Sequence, residues 1–114
     1  MHEGGCHCGA VRYTVEIDPT ADAMTCNCSM CARAGTLLQF VTPAQFKLVK
    51  GDDHLTSYRF NKQVIDHPFC KTCGIKPFAR GTTPRGEMVA INVRCLDGID
   101  TFALTTKQVD GRAF

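Results

Sequence analysis

Cysteine spacing limits this chain more than any other feature. Eight cysteines lie among 114 residues, grouped as Cys6-x-Cys8, Cys26-x-Cys28-x-x-Cys31 and Cys70-x-x-Cys73, with Cys95 alone. An even count is compatible with a disulfide framework. Loop-closing bridges, however, do not require partners with only one or two residues between them. Metal chelation does: two thiolates on one zinc sit about 3.7 Å apart, and a knuckle of one or two intervening residues brings them that close. The first residues, Met1-His2-Glu3-Gly4-Gly5-Cys6, have neither the positive nor the apolar segment of a secretory leader. The expected location is therefore cytoplasmic, where thiols stay reduced and available to metal.

Cys6, Cys8, Cys70 and Cys73 make a complete four-thiolate set, enough to close one structural zinc and tie the start of the chain to its middle. Cys26, Cys28 and Cys31 then form a trio with no fourth ligand beside it in sequence. Either the position stays open, as in catalytic zinc sites, or Cys95, His7, His54 or His67 closes it as a second structural staple. Three thiolates and one Zn²⁺ carry a net charge of −1. That charge disfavours making hydroxide and suits binding a thiolate or an aldehyde oxygen. Two zinc ions are expected in all.

Between the knuckles the pattern is that of strands. Residues 11–17 alternate Val11, Tyr13, Val15 and Ile17 with polar side chains, the period of a half-buried strand. Residues 37–41 read as a short strand, and residues 42–46 as one helical turn with Thr42 as N-cap and Pro43 at its first position. Residues 46–49 and 55–60 flank Gly51-Asp52-Asp53 and read as a hairpin. A turn at 61–63 leads into residues 64–69, which deliver the chain to the Cys70 knuckle. Residues 75–80 read as a strand confined to an edge or bulge by Pro77, and residues 87–93 as a strand with Met88, Ala90 and Asn92 on one face and Val89, Ile91 and Val93 on the other. The tail from residue 101 has no clear pattern. No segment holds a helical period over three turns. The fold class expected is all-β, as antiparallel sheets with short helical turns in a single domain, 1–114. Phe40, Phe60, Phe69 and Phe78 read as core.

Charge narrows the partners. The formal net charge is +2, but seven zinc-bound thiolates subtract seven charges and two Zn²⁺ restore four, which leaves −1. No nucleic-acid partner is expected, and no run approaches the roughly 18 apolar residues that span a bilayer.

The chain resembles the family of glutathione-dependent formaldehyde-activating enzymes, which also contains the centromere protein V domain. The likeness runs through Gly5-Cys6-His7-Cys8-Gly9-Ala10-Val11-Arg12-Tyr13, the trio, Phe69-Cys70-Lys71-Thr72-Cys73-Gly74 and Asn92-Val93-Arg94-Cys95-Leu96. It implies a zinc-stapled β-tent, a structural zinc on the first and third clusters and a labile, catalytic zinc on the middle one. It also implies a carbon–sulfur lyase type of chemistry, in which a thiol such as glutathione adds to a small aldehyde such as formaldehyde. Around the trio, Arg33 is a candidate for holding a substrate carboxylate. Cys95 is an auxiliary thiol, an occasional fourth ligand or an inert core residue. His67, three residues before Cys70, reads as a support for the structural zinc, and His7 as pointing outward. The alternatives are a non-enzymatic zinc-binding interaction module and a thiol/zinc redox sensor in which Cys95 resolves an oxidised trio.

Overall fold

The computed structural model describes residues 1–59, 65–84 and 86–109. Among the described residues ten strands form two sheets: β1 His2–Gly5, β2 Arg12–Val15, β3 Ala23–Cys26, β4 Leu38–Val41, β5 Phe46–Lys50, β6 Leu55–Tyr58, β7 Ile65–Cys70, β8 Phe78–Thr83, β9 Gly86–Asn92 and β10 Thr106–Val109. The smaller sheet has the order β1-β2-β5 and the larger β10-β3-β4-β9-β8-β7-β6. The one α-helix among the described residues, α1, spans Ser29–Ala34, and four short 3₁₀ turns complete the elements. The fold is all-β. Its pairs are antiparallel except one, since β10 runs parallel to β3. No helix of the described residues is long and apolar enough to cross a membrane.

Alternation along the strands builds the core between the sheets. Tyr13 and Val15 point inward from β2 and meet Val41, Phe78, Val89 and Ile91 from β4, β8 and β9. Tyr13, Phe46 and Phe78 join the two layers through ring contacts, with Phe46 and Phe78 centroids 4.7 Å apart and Tyr13 edge-on to Phe78 at 6.0 Å. Such geometry suits the positive edges and negative faces of the rings. The Arg80 guanidinium caps this cluster, 5.4 Å from the Phe46 centroid and 5.2 Å from that of Phe78. The opposite face of the large sheet carries a smaller patch, Leu38, Ala79 and Ala90. In β9 the two faces divide as the alternation predicts.

Several expectations change. Residues 46–49 and 55–60 do not form a hairpin. β5 pairs with β2, Val15 opposite Phe46, whereas β6 pairs with β7, Leu55 opposite Cys70. Gly51, at φ +94°, and the 3₁₀ turn Asp52–His54 redirect the chain between layers instead of folding it back. A side chain at Gly51 would meet the Ala10 carbonyl at 2.3 Å, so β5 ends tightly against the first knuckle. β8 is an interior strand, contrary to the edge position expected from Pro77. It starts one residue later, and the Pro77 carbonyl accepts from the Asn92 N–H at 3.2 Å. Phe40 is 46% exposed because the register turns Gln39 and Val41 to the main core. Phe78 is core and Phe69 half-buried. Phe60 and the turn at 61–63 lie outside the described residues.

The helical turn after β4 forms as a 3₁₀ segment, Pro43–Gln45. Gln45 Oε1 accepts from the Thr42 N–H at 2.9 Å, which satisfies a donor the turn leaves open.

Candidate metal centres

The first knuckle lies between β1 and β2, and the third follows β7. The four-cysteine cluster therefore connects the two sheets. The Cys6 N–H donates to the Val11 carbonyl at 3.1 Å, and the Val11 N–H donates to Cys6 Sγ at 3.3 Å. In the third knuckle the Gly74 N–H donates to the Cys70 carbonyl at 2.7 Å, with Gly74 at φ +79°, a value glycine reaches without penalty.

The Sγ atoms of Cys6, Cys8, Cys70 and Cys73 all lie within 4.8 Å of one another. Cys6 to Cys8 and Cys8 to Cys70 are each 3.6 Å, against about 3.7 Å for two sulfurs of a zinc tetrahedron. Their proton affinities are driven apart. Burial pushes the Cys73 thiol up, but the backbone N–H groups of Ile75 and Cys8 outweigh it and bring Cys73 to about 6. The Ala10 N–H pulls Cys8 down, but burial and the neighbouring Cys6, Cys70 and Cys73 hold it up at about 11. Four sulfurs in contact cannot all ionise unless a cation compensates them. The donor set fits a zinc ion.

The middle cluster is built from a strand end and a helix start. Cys26 closes β3, Cys28 is the N-cap of α1 and Cys31 lies in its first turn. Cys28 Sγ accepts from the Cys31 N–H at 3.3 Å, and the Gly35 N–H donates to the Cys31 carbonyl at 3.0 Å with Gly35 left-handed at φ +67°. The three Sγ atoms meet within 4.8 Å, all half-buried. Among the described residues no fourth histidine, cysteine or carboxylate joins them. Burial raises Cys31 to about 12, an effect reinforced by Cys28. Burial also opposes ionisation of Cys28, but the N–H and thiol of Cys31 outweigh it and lower that thiol. The trio also fits a thiophilic cation, with three donors.

The residues considered as closing ligands lie elsewhere. Cys95 Sγ is 3.8 Å from the Lys76 carbonyl and 3.5 Å from Asn92 Nδ2. Burial, then the charges of Cys6 and Cys73, raises it to about 12, so Cys95 belongs electrostatically to the four-cysteine side. His7 is exposed, as its place between two ligands suggests. His54 Nδ1 lies 3.2 Å from Asp53 Oδ1. His67, expected beside the structural set, has Nδ1 2.7 Å from Lys76 Nζ. Arg33 is exposed, and its Nη1 donates to the Ser29 carbonyl at 2.9 Å. Sequence reasoning missed Lys76, whose pKa burial lowers while the charges of Cys31, Cys28 and Cys26 oppose that fall. The available signal was a single charge inside the apolar run Ile75-Lys76-Pro77-Phe78-Ala79.

A family model described as glutathione-dependent formaldehyde-activating enzyme matches residues 1–109. The crystal structure of a Rhodobacter sphaeroides protein is similar at 33% identity and a TM-score of 0.80, over 92% of this chain and 99% of that one.

Proposed function

Because the chain belongs to the family of glutathione-dependent formaldehyde-activating enzymes, we propose that it is a zinc enzyme of the carbon–sulfur lyase type. It joins a thiol of the glutathione kind to a small aldehyde such as formaldehyde, or acts on their S-hydroxymethyl adduct. Cys6, Cys8, Cys70 and Cys73 hold a structural zinc, and Cys26, Cys28 and Cys31 hold the reactive one. The observation carrying this reading is the half-buried trio of converging sulfurs beside a separate, complete set of four.

A zinc ion on the trio supplies a soft cation that favours the thiolate form of a bound thiol and polarises a carbonyl oxygen. The protein contributes the arrangement. Cys28 and Cys31 are locked by the helix start, and Cys31 packs against the Leu38, Ala79 and Ala90 patch, so the donors keep their geometry while reactants approach from the half-open side. Holding thiol and aldehyde together removes much of the entropic barrier to their combination. The thiol sulfur forms a bond to the aldehyde carbon, the carbonyl π pair moves to oxygen, and that oxygen takes up the proton given by the thiol. The reverse sequence cleaves the carbon–sulfur bond. The cytoplasm, rich in thiols, is the expected setting.

The test is Cys28→Ser against Cys70→Ser. Cys28→Ser should bind one zinc fewer, stay folded by circular dichroism and lose catalysed formation of S-hydroxymethylglutathione measured by NMR exchange. Cys70→Ser should unfold, since loss of a structural zinc removes folding energy. Unchanged exchange in Cys28→Ser would overturn the reading.

A further inference from the structure

Lys76 acts on the trio electrostatically from a distant part of the chain, and its backbone is held from two directions. The loop that carries it leaves the third knuckle, where the Cys70 N–H donates to the Ile75 carbonyl at 2.9 Å. On the other side, Asn92 Nδ2 donates to the Lys76 carbonyl at 3.0 Å.

The side chain is held as well. Lys76 is half-buried, and its Nζ lies 2.7 Å from Nδ1 of His67, which is 4% exposed. Burial, then the Lys76 charge, lowers His67 to about 4, so the neutral imidazole accepts a hydrogen bond from the ammonium. Asp66 on β7 stands opposite Arg80 on β8. Strand alternation therefore turns His67 to the face that bears Ala79. That face carries the Leu38, Ala79 and Ala90 patch against which Cys31 packs. The His67–Lys76 pair and the trio thus share one face of the large sheet.

Charge gives this placement its consequence. Three thiolates and a Zn²⁺ sum to −1, and an entering thiolate makes −2. A half-buried double charge with no counter-ion is costly, whereas one ammonium beside it restores −1.

We infer that Lys76, oriented by His67, is the residue that selects an anionic sulfur reactant at the trio, its ammonium compensating the charge that a thiolate brings. The inference rests on the trio being an open metal centre. It also gives the four-cysteine cluster a second task, because the knuckle that holds the sheets together positions this lysine.

The test uses the full chain loaded with cobalt(II), whose visible absorption reports ligands entering the trio, with 2-mercaptoethanol as the anionic probe and imidazole as the neutral one. Lys76→Gln keeps an N–H donor for His67 and removes the charge. Lys76→Met serves if that variant fails to retain two metal equivalents. The charge-free variant should bind 2-mercaptoethanol at least tenfold more weakly and imidazole within about twofold of the unsubstituted protein. Equal weakening of both probes would mean a merely structural role, and no change in either would mean no role. Either result overturns the inference while leaving the trio open. Binding of neither probe to the unsubstituted protein would instead overturn the open-centre reading itself.

Discussion

Asn92→Asp should separate the hydrogen bonds of one buried amide from its shape. Asn92 is 7% exposed. Its Nδ2 donates to the Lys76 carbonyl at 3.0 Å, and its Oδ1 accepts from the Arg94 N–H at 3.3 Å as N-cap of the 3₁₀ turn Val93–Cys95. Aspartate preserves volume and the Arg94 contact but sets a carboxylate oxygen against the Lys76 carbonyl. Losing that donor should cost about 1–3 kcal/mol. Desolvation and the facing carbonyl also raise the folded-state pKa of the new carboxyl above its unfolded value of about 3.9. The sign follows: protonated, the group can still donate to the Lys76 carbonyl, so the deficit is smallest at low pH. It grows as pH rises through the raised pKa, by up to about 1.4 kcal/mol per pH unit. Urea denaturation of both proteins from pH 5 to 8, at matched free zinc, should give a deficit of about 2–4 kcal/mol at pH 7 and a smaller one at pH 5. A deficit below about 0.5 kcal/mol at pH 7 would refute the role given to this amide.

His67 should titrate near 4 by NMR, well below the usual histidine range, because burial and then the Lys76 charge disfavour the imidazolium. Its folded pKa is depressed, so its contribution is intact above the unfolded pKa of about 6.5 and is lost as pH falls towards 4, by up to about 3 kcal/mol. His67→Gln should flatten that part of the stability profile. Phe78→Ala removes the ring in contact with Tyr13 and Phe46 at the junction of the two sheets. A loss of about 3–5 kcal/mol is expected from the denaturant midpoint, with the second metal equivalent retained by any population that stays folded.

What could be read from the sequence was local. Period-two alternation located β2 and divided the faces of β9, because a strand half-buried on one side must alternate. The convergence of thiols within each knuckle was readable for the same reason, since cysteines two or three positions apart meet through their own loops, whereas the meeting of Cys6 and Cys8 with Cys70 and Cys73 was not local. Partnership between strands was not local. The Gly51-Asp52-Asp53 turn has the residues of a hairpin, yet Gly51 is pressed against Ala10 and Val11, and the chain passes to the other sheet. Phe40 was misplaced by register alone. In β4 the main core takes Gln39, whose Nε2 donates to the Ala21 carbonyl at 2.9 Å, and a shift of one residue exchanges the faces of a strand. β10 gave no signal because it is a mostly exposed strand added in parallel to the end of the sheet.

Lys76 lies 45 positions after Cys31 in sequence, and no spacing rule connects an ammonium to a thiolate cluster at that distance. Three things bring them together: the third knuckle that starts the loop, the pairing of β7 with β8 that sets the face of His67, and the Asn92 amide that fixes the Lys76 carbonyl. Each belongs to the stabilising part of the fold. A substitution that loosens the four-cysteine cluster without unfolding the chain should therefore disturb the trio's preference for anionic sulfur before it disturbs the trio's hold on metal, because Cys26, Cys28 and Cys31 depend on their own strand end and helix start, while the counter-charge depends on the rest.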